Sequence, residues 1–242
     1  MTKGRTWIGT SGWLYKHWKG PFYPEDIPQK NHFSFFATHF KTVELNNPFY
    51  RLPSPETFNG WREKAPEDFL YAVKASRYIT HIKRLKDPEE SVELLLKNAS
   101  ELKEKLGPIL FQLPPSMKFD EERLEIFLRS LPRDHRFTME FRNNTWYNED
   151  CYDMLRKYNI AFCIYELEYH KSPELCTAEF VYIRLHGPGR KYQGSYSDKS
   201  LEEWATKSKA WNKKGIDVYI YFDNDQNAYA AHNAMTLQEM IK

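Results

Sequence analysis

The sequence predicts an α/β protein, a single domain over residues 1–242 folded as an eight-stranded parallel (β/α)8 barrel of the TIM type. Two observations carry this. Eight short runs rich in β-branched and aromatic residues recur along the chain, their starts about 30 residues apart, the size of one βα unit. Between most of them lies an apolar stripe of helical period that opens on a helix-start signal. Strand then helix, eight times within 242 residues, matches a barrel, for which about 250 residues is typical. A doubly wound open sheet is the competing architecture.

The predicted strands are, in order, Trp7–Gly12, Thr42–Asn47, Leu70–Ser76, Ile109–Leu113, Phe137–Arg142, Ala161–Glu166, Val181–His186 and Val218–Asn224. Ser54-Pro55-Glu56 and Asp87-Pro88-Glu89 each set a capping side chain before a first-turn proline, and Ser200-Leu201-Glu202-Glu203 reads as a capping box. Val92, Leu95, Leu96, Ala99, Leu102 and Leu106 form one apolar stripe, and Leu201, Trp204, Ala205, Ser208 and Trp211 another. The connection after the sixth predicted strand is too short for a long crossover helix. Ser172-Pro173-Glu174-Leu175 is therefore expected to make a turn or two at most.

Composition narrows the function classes. With 35 Lys+Arg against 33 Asp+Glu the net charge is +2, so no global basic field drives sequence-independent nucleic-acid binding and any anion site must be local. At 41% hydrophobic residues the chain can build a large core, which a disordered chain cannot. Met1 to Arg5 are polar, no signal-peptide stretch follows, and no run approaches the roughly 18 apolar residues of a membrane span. The expectation is a cytoplasmic protein with no membrane partner. Cys151, Cys163 and Cys176 are odd in number and lie in neither CxxC nor zinc-ribbon spacing, so they are expected to be reduced, structural thiols.

In a barrel every second strand residue points inward, and the last of these line the site. Reading each strand with period two puts polar residues there repeatedly: Ser11; Glu44 and Asn46; Lys74 and Ser76; Gln112; Thr138, Glu140 and Arg142; Glu166; Tyr182, Arg184 and His186; Tyr219, Tyr221 and Asp223. The early inward positions, assigned to Ile8, Thr42, Ala72, Leu110, Phe162 and Ile164, are apolar or small. Charges inside a barrel are expensive to bury unless paired. A network serving only rigidity has no reason to gather at one end of the strands, which sets the functional reading against that of an inert salt-bridge cluster.

At these residues the chain resembles the domain of unknown function 72 (DUF72) family of barrel proteins, whose activity is unsettled. The resemblance runs through Gly9-Thr10-Ser11-Gly12-Trp13, Val43-Glu44-Leu45-Asn46, Phe49-Tyr50-Arg51, Val73-Lys74, Leu110-Phe111-Gln112-Leu113-Pro114-Pro115, Glu140-Phe141-Arg142 with Trp146, Tyr182-Ile183-Arg184-Leu185-His186-Gly187-Pro188 and Tyr221-Phe222-Asp223-Asn224-Asp225. It implies the barrel and the place of the shared polar residues, but no reaction. One departure stands out: the family usually carries Asp where this chain has Glu166, one methylene longer.

Three constellations suggest chemistry. Glu44 and Glu140 are candidate acid/base carboxylates, as in glycoside hydrolysis, with Trp13, Tyr15, Tyr50, Trp146, Tyr192 and Tyr196 on loops able to stack on sugar rings. Lys74, Arg142 and Arg184 suit the grip of an anion, next to a Gly187-Pro188-Gly189-Arg190-Lys191 loop in the region where barrels often bind phosphate. His186, Asp223, Glu140 and Glu44 could instead hold Mg2+ or Mn2+; no metal or other cofactor is predicted, because a strand-end histidine is more often an acid/base or hydrogen-bonded residue.

The expectation is an enzyme that binds a polar, anionic, phosphorylated sugar- or nucleotide-like molecule and performs acid/base or hydrolytic chemistry. Glu44 and Glu140 are the expected acid/base pair, His186 a proton donor or orienting group, and Asp223 the residue that fixes a cation or hydroxyl. Ser11, Trp13, Tyr15, Asn46, Tyr50, Arg51, Lys74, Gln112, Arg142, Trp146, Glu166, Arg184, Tyr192 and Asn224 are the expected binding residues. Two other classes stand beside it: a nucleic-acid-binding or repair-type protein accepting a single-stranded or flipped base, and a catalytically silent interaction module.

Overall fold

The computed structural model describes residues 3–242; Met1 and Thr2, the start of the polar N-terminal segment, lie outside them. The fold is α/β. Eight parallel strands are β1 (Thr6–Thr10), β2 (Thr42–Leu45), β3 (Leu70–Lys74), β4 (Leu106–Gln112), β5 (Phe137–Glu140), β6 (Ala161–Leu167), β8 (Phe180–Leu185) and β9 (Asp217–Phe222), with a two-residue β7 (His170–Lys171) between β6 and β8. Their order in the sheet is β1-β9-β8-β6-β5-β4-β3-β2, and a parallel bridge from Ser11 to Glu44 brings the first and last together. This is a nearly closed (β/α)8 barrel. Helices α1 (His32–His39), α2 (Asn47–Tyr50), α3 (Pro55–Lys64), α4 (Glu89–Ala99), α5 (Glu121–Ser130), α6 (Glu149–Tyr158), α7 (Asp198–Lys213) and α8 (Tyr229–Ile241) fill the connections. By internal contacts the chain divides into two compact units.

The first unit holds residues 1–44, 164–174 and 179–242. Within it β8 and β9 run in register from Phe180 beside Asp217 to Leu185 beside Phe222, and β9 pairs with β1 from Val218 beside Thr6 to Phe222 beside Thr10. Gly9 is required where β1 meets β2, because a Cβ there would lie 2.2 Å from the Thr42 carbonyl oxygen. Trp7 stacks on Tyr219 at 4.8 Å while Ser11 bonds Glu44, so Trp7, Gly9 and Ser11 share one face. Ile8, assigned to that face from the sequence, is buried on the other one.

The second unit holds residues 45–163 and 175–178. Its strands β4 and β5 pair from Ile109 beside Phe137 to Gln112 beside Glu140. Phe162 of β6 lies edge-on to Tyr152 of α6 at 5.7 Å, whereas the Cys163 thiol reaches Glu140. The phase of β6 is thus one residue off the reading that put Phe162 and Ile164 inward.

Helix starts follow local hydrogen-bond chemistry. Asn148 accepts from Cys151 N at 2.9 Å and Asp120 from Arg123 N at 3.0 Å, each answering an orphan first-turn N–H. Pro55 opens α3 after Ser54, as the sequence suggests, but the Ser54 side chain makes no capping hydrogen bond. At α7 the capping residue is Ser197, which accepts from Ser200 N, three residues before the expected capping box. At α4 the flanking residue is Pro88 with no side-chain cap, and Asp87 sits instead in a left-handed turn at φ 39°. The stripe that continued to Leu106 stops being α-helical at Ala99: a short 3-10 segment follows, Lys103 takes φ 50°, and Leu106 opens β4.

After β6 there is no helix. The chain turns back instead through Glu168 and Tyr169, at φ 50° and 67°, the paired positive angles of a type I′ turn, so that Lys171 pairs antiparallel with Glu166. Among the described residues no helix is long and apolar enough to cross a membrane.

Candidate functional site

Four strand ends of the first unit bring a polar cluster together. Register sets Arg184 beside Tyr221 and Tyr221 beside Gly9, and the Ser11 bridge adds Glu44. Glu44 is wholly buried and both of its oxygens accept two hydrogen bonds. Oε1 accepts from Ser11 Oγ at 2.9 Å and Arg184 Nη2 at 2.8 Å; Oε2 accepts from Tyr182 OH at 2.7 Å and Arg184 Nε at 2.9 Å. A carboxylate so filled has its acceptor positions occupied by fixed donors and orders its surroundings. Below it, Tyr182 and Tyr221 are buried, and burial, followed by the Glu44 charge for Tyr182, holds the Tyr182 phenol protonated. Tyr221 OH lies 2.7 Å from Thr42 Oγ1.

Arg184 continues outward. Its Nη2 lies 3.3 Å from Asp223 Oδ2 and its Nη1 lies 3.2 Å from His186 Nε2. A guanidinium has donors only, so His186 Nε2 is an acceptor and the ring proton sits on Nδ1, which lies 2.9 Å from Asp223 Oδ2. Nε2 thus has Arg184 as its donor, and Nδ1 faces Asp223 at ion-pair distance.

Two residues beyond, Asp225 sits in different company. Its carbonyl accepts from Trp18 Nε1 at 2.8 Å, and its Oδ2 lies 3.5 Å from His17 Nε2. Burial raises the Asp225 carboxyl above its ordinary value, and the Asp223 charge adds to this, while His17 and the backbone pull the other way. Tyr15, whose hydroxyl donates to the Ser11 carbonyl, feels the charges of Asp223, Asp225 and Glu44; after burial itself these push its phenol well up. Asp225 and His17 were not among the expected site residues, and Tyr182 was expected only as an inward-facing polar residue. Asp225 lies past the strand end, where period-two reading stops.

The remaining expected residues of this unit have structural partners. Glu166 bonds Lys171 at 3.0 Å across the β6–β7 hairpin, a pairing that the exposed lysine's side chain reaches from the turn's far arm. Tyr192, at φ 62°, donates its N–H to the His186 carbonyl at 2.8 Å and sets its ring 5.6 Å from the imidazole. Asn224 is buried, its Nδ2 donating to Gly194 O at 2.8 Å and Asn233 Oδ1 at 2.9 Å, so it ties the loop to α8 rather than facing outward. Trp13 is nearly buried, edge-on to Phe33 at 5.2 Å.

In the second unit Glu140 is wholly buried and pairs with Arg142 Nε, with Cys163 Sγ 3.7 Å from its other oxygen. Lys74 Nζ stands 4.3 Å over the Phe49 ring, and Gln112 Nε2 donates to the Leu113 carbonyl at 2.9 Å. Trp146 is fully buried: Nε1 donates to Met117 O at 2.7 Å and the indole stacks on Phe141 at 4.6 Å. The sequence set it on a loop, and a short 3-10 turn, 144–146, folds that loop inward. Asn46, Tyr50 and Arg51 line a cavity of about 780 Å³ together with Ser54, Thr57 and Trp61. Among the described residues no group of three or more His, Cys, Asp or Glu side chains is placed to hold a metal ion.

Comparison with known proteins agrees with the fold. A family model described as "Protein of unknown function DUF72" matches residues 7–242. The chain is 23% identical to the UPF0759 protein YunF of Bacillus subtilis over 274 aligned positions, covering 97% of this chain and 94% of that protein. It is 34% identical to YecE of Escherichia coli over 109 positions, which cover 45% of this chain and 40% of that one. Among solved structures, a DUF72 family protein from Thermotoga maritima superposes with a TM-score of 0.88 at 29% identity, covering 98% of this chain and 99% of that one. One from Enterococcus faecalis does so at 0.83 and 18% identity, over 98% of this chain and 95% of that one, a likeness of fold.

Proposed function

The chain belongs to the DUF72 family, and from that premise we propose that it is an enzyme performing acid/base, hydrolytic chemistry on a small, polar, phosphorylated sugar- or nucleotide-like molecule at the C-terminal ends of β1, β2, β8 and β9. A barrel fold is compatible with enzymatic or ligand-binding activity in general.

The observation that carries it is the contrast between Asp223 and Asp225. Asp223 accepts from Arg184 and faces His186 Nδ1, contacts that a carboxylate makes as an anion. Asp225, half-buried, has His17 at 3.5 Å and a backbone contact to favour its charge, which burial and the neighbouring Asp223 outweigh. Two carboxyls whose surroundings push them apart are the pattern of an acid and a base. Asp225 is the proton donor to a leaving oxygen, and Asp223 the base that takes a proton from water. Arg184 and His186 position Asp223, and Glu44 positions Arg184. The acid/base pair expected from sequence, Glu44 and Glu140, is thereby replaced in the proposal, because each is buried against an arginine. The exposed Arg190 and Lys191, on the loop after β8, supply positive charge for a phosphoryl group.

The test is turnover against a panel of aryl glycosides, aryl phosphates and nucleoside phosphates. One class is expected to turn over, with kcat lowered about 10²-fold or more in Asp225→Asn and in Asp223→Asn. Turnover unchanged in both variants, or none with any member of the panel, overturns the proposal.

A further inference from the structure

None of the residues assigned above to acid/base work takes part in the cavity after β2. Its walls come from α2, the extended link after it and α3, and span about 780 Å³, within the range of small-molecule sites. Tyr50 is 75% exposed, an unusual position for a tyrosine, and its ring is held at 89° to Phe49 by an edge contact of 5.1 Å. Phe49 in turn lies under Lys74 Nζ. Trp61 faces the cavity and is fixed at 88° to the buried Phe58 at 5.3 Å. Two aromatic rings thus flank the cavity, Trp61 against the buried Phe58 and Tyr50 largely exposed beside Phe49.

The polar lining is equally specific. Arg51 is exposed in extended backbone at φ −148° and lines the same cavity. Ser54 and Thr57, whose hydroxyls lie 3.3 Å apart, line it from the start of α3. The side-chain oxygen of Asn46 is buried and has no hydrogen-bond partner among the described residues. A buried acceptor left without a donor is costly, so this oxygen marks a locally unsatisfied β2-to-α2 junction beside the cavity. The link is also anchored from outside, since Asn98 of α4 donates to the Pro53 carbonyl at 2.9 Å.

We infer that this cavity binds a planar heteroaromatic anion, the chemistry of a nucleoside monophosphate: the ring against Tyr50 and Trp61, the anionic group on Arg51. An aromatic face is tolerant of which ring it stacks on, whereas the guanidinium selects the charge.

The experiment is isothermal calorimetry of the intact protein with adenosine 5′-monophosphate, with adenosine as the ring alone and with inorganic phosphate as the charge alone. Expected is binding of the monophosphate, at least tenfold tighter than either half. Arg51→Ala should lower affinity for the monophosphate at least tenfold and leave adenosine unchanged, and Tyr50→Ala should weaken both. These two side chains are exposed, so circular dichroism and melting of the variants should match the parent. No measurable heat with the monophosphate at millimolar concentration, or equal affinity in Arg51→Ala and the parent, overturns the inference. Because the readout is binding and not turnover, its failure is distinct from failure of the Asp223–Asp225 proposal.

Discussion

Arg184 of β8 and Glu44 of β2 form a two-pronged pair, Nη2 to Oε1 at 2.8 Å and Nε to Oε2 at 2.9 Å, although two strands, β9 and β1, stand between theirs in the sheet. Both side chains are essentially without solvent, so neither charge can be left alone. Removing one partner of such a pair costs about 3–5 kcal/mol, while replacing both with apolar groups costs far less. Urea unfolding of Arg184→Met and Glu44→Met should each show that loss, and the double variant should be more stable than the sum predicts. Additive losses, or single losses under about 1 kcal/mol, would refute a tightly coupled pair.

How far this site is legible in the chain follows from the same pair. Period-two reading finds Ser11, Glu44, Arg184, His186 and Asp223, because each lies at or just beyond a strand end and polar residues there break an apolar run. It cannot find that Arg184 is already matched by Glu44, since that depends on register through β9 and β1, which a single strand's pattern does not contain. The arginines therefore read as anion grips when each faces a carboxylate. Parity errors at Ile8 and Phe162 have a related cause: both faces of a barrel strand are buried, so apolar residues mark neither. The β6–β7 hairpin escapes for another reason. Its turn residues are Glu168 and Tyr169, not the Asn-Gly or Asp-Gly that announces positive φ.

Trp146 and Tyr50 separate core aromatics from ligand aromatics. Trp146 is fully buried with its N–H satisfied, so Trp146→Ala should cost about 3–5 kcal/mol in urea unfolding. Tyr50, three-quarters exposed, should change stability by less than about 0.5 kcal/mol when replaced by alanine. A Tyr50→Ala protein as destabilised as Trp146→Ala would mean that the ring is a packing residue.

The three cysteines should differ sharply in reactivity. Cys176 is exposed, whereas Cys151 and Cys163 are buried, and burial pushes the Cys151 thiol up to about 12. The thiolate is the reactive form. Titration of the native protein with a disulfide reagent at pH 8 should consume one equivalent quickly, and none in Cys176→Ser, with the other two appearing only in denaturant. A fast second equivalent in the native state would show that one of the buried strands or helices opens.

Asp225 links stability to pH with a definite sign. Its ordinary value is 3.8 and burial, with Asp223 adding to it, raises it in the folded protein. Between those two values the folded state holds a proton that the unfolded state has lost, so stability contributed by this group is present at low pH and falls as pH climbs through the window. Above the folded value the carboxylate remains ionised at a cost. Asp225→Asn removes that cost, so at pH 7 its melting midpoint should exceed the parent's, and the difference should close as pH is lowered toward 3.8. The same variant is the one expected to lose turnover, which is the usual tension between a strained functional group and stability. A variant less stable than the parent at pH 7, or a difference that does not vary with pH, would remove Asp225 from the role of proton donor and return it to the structure of the loop.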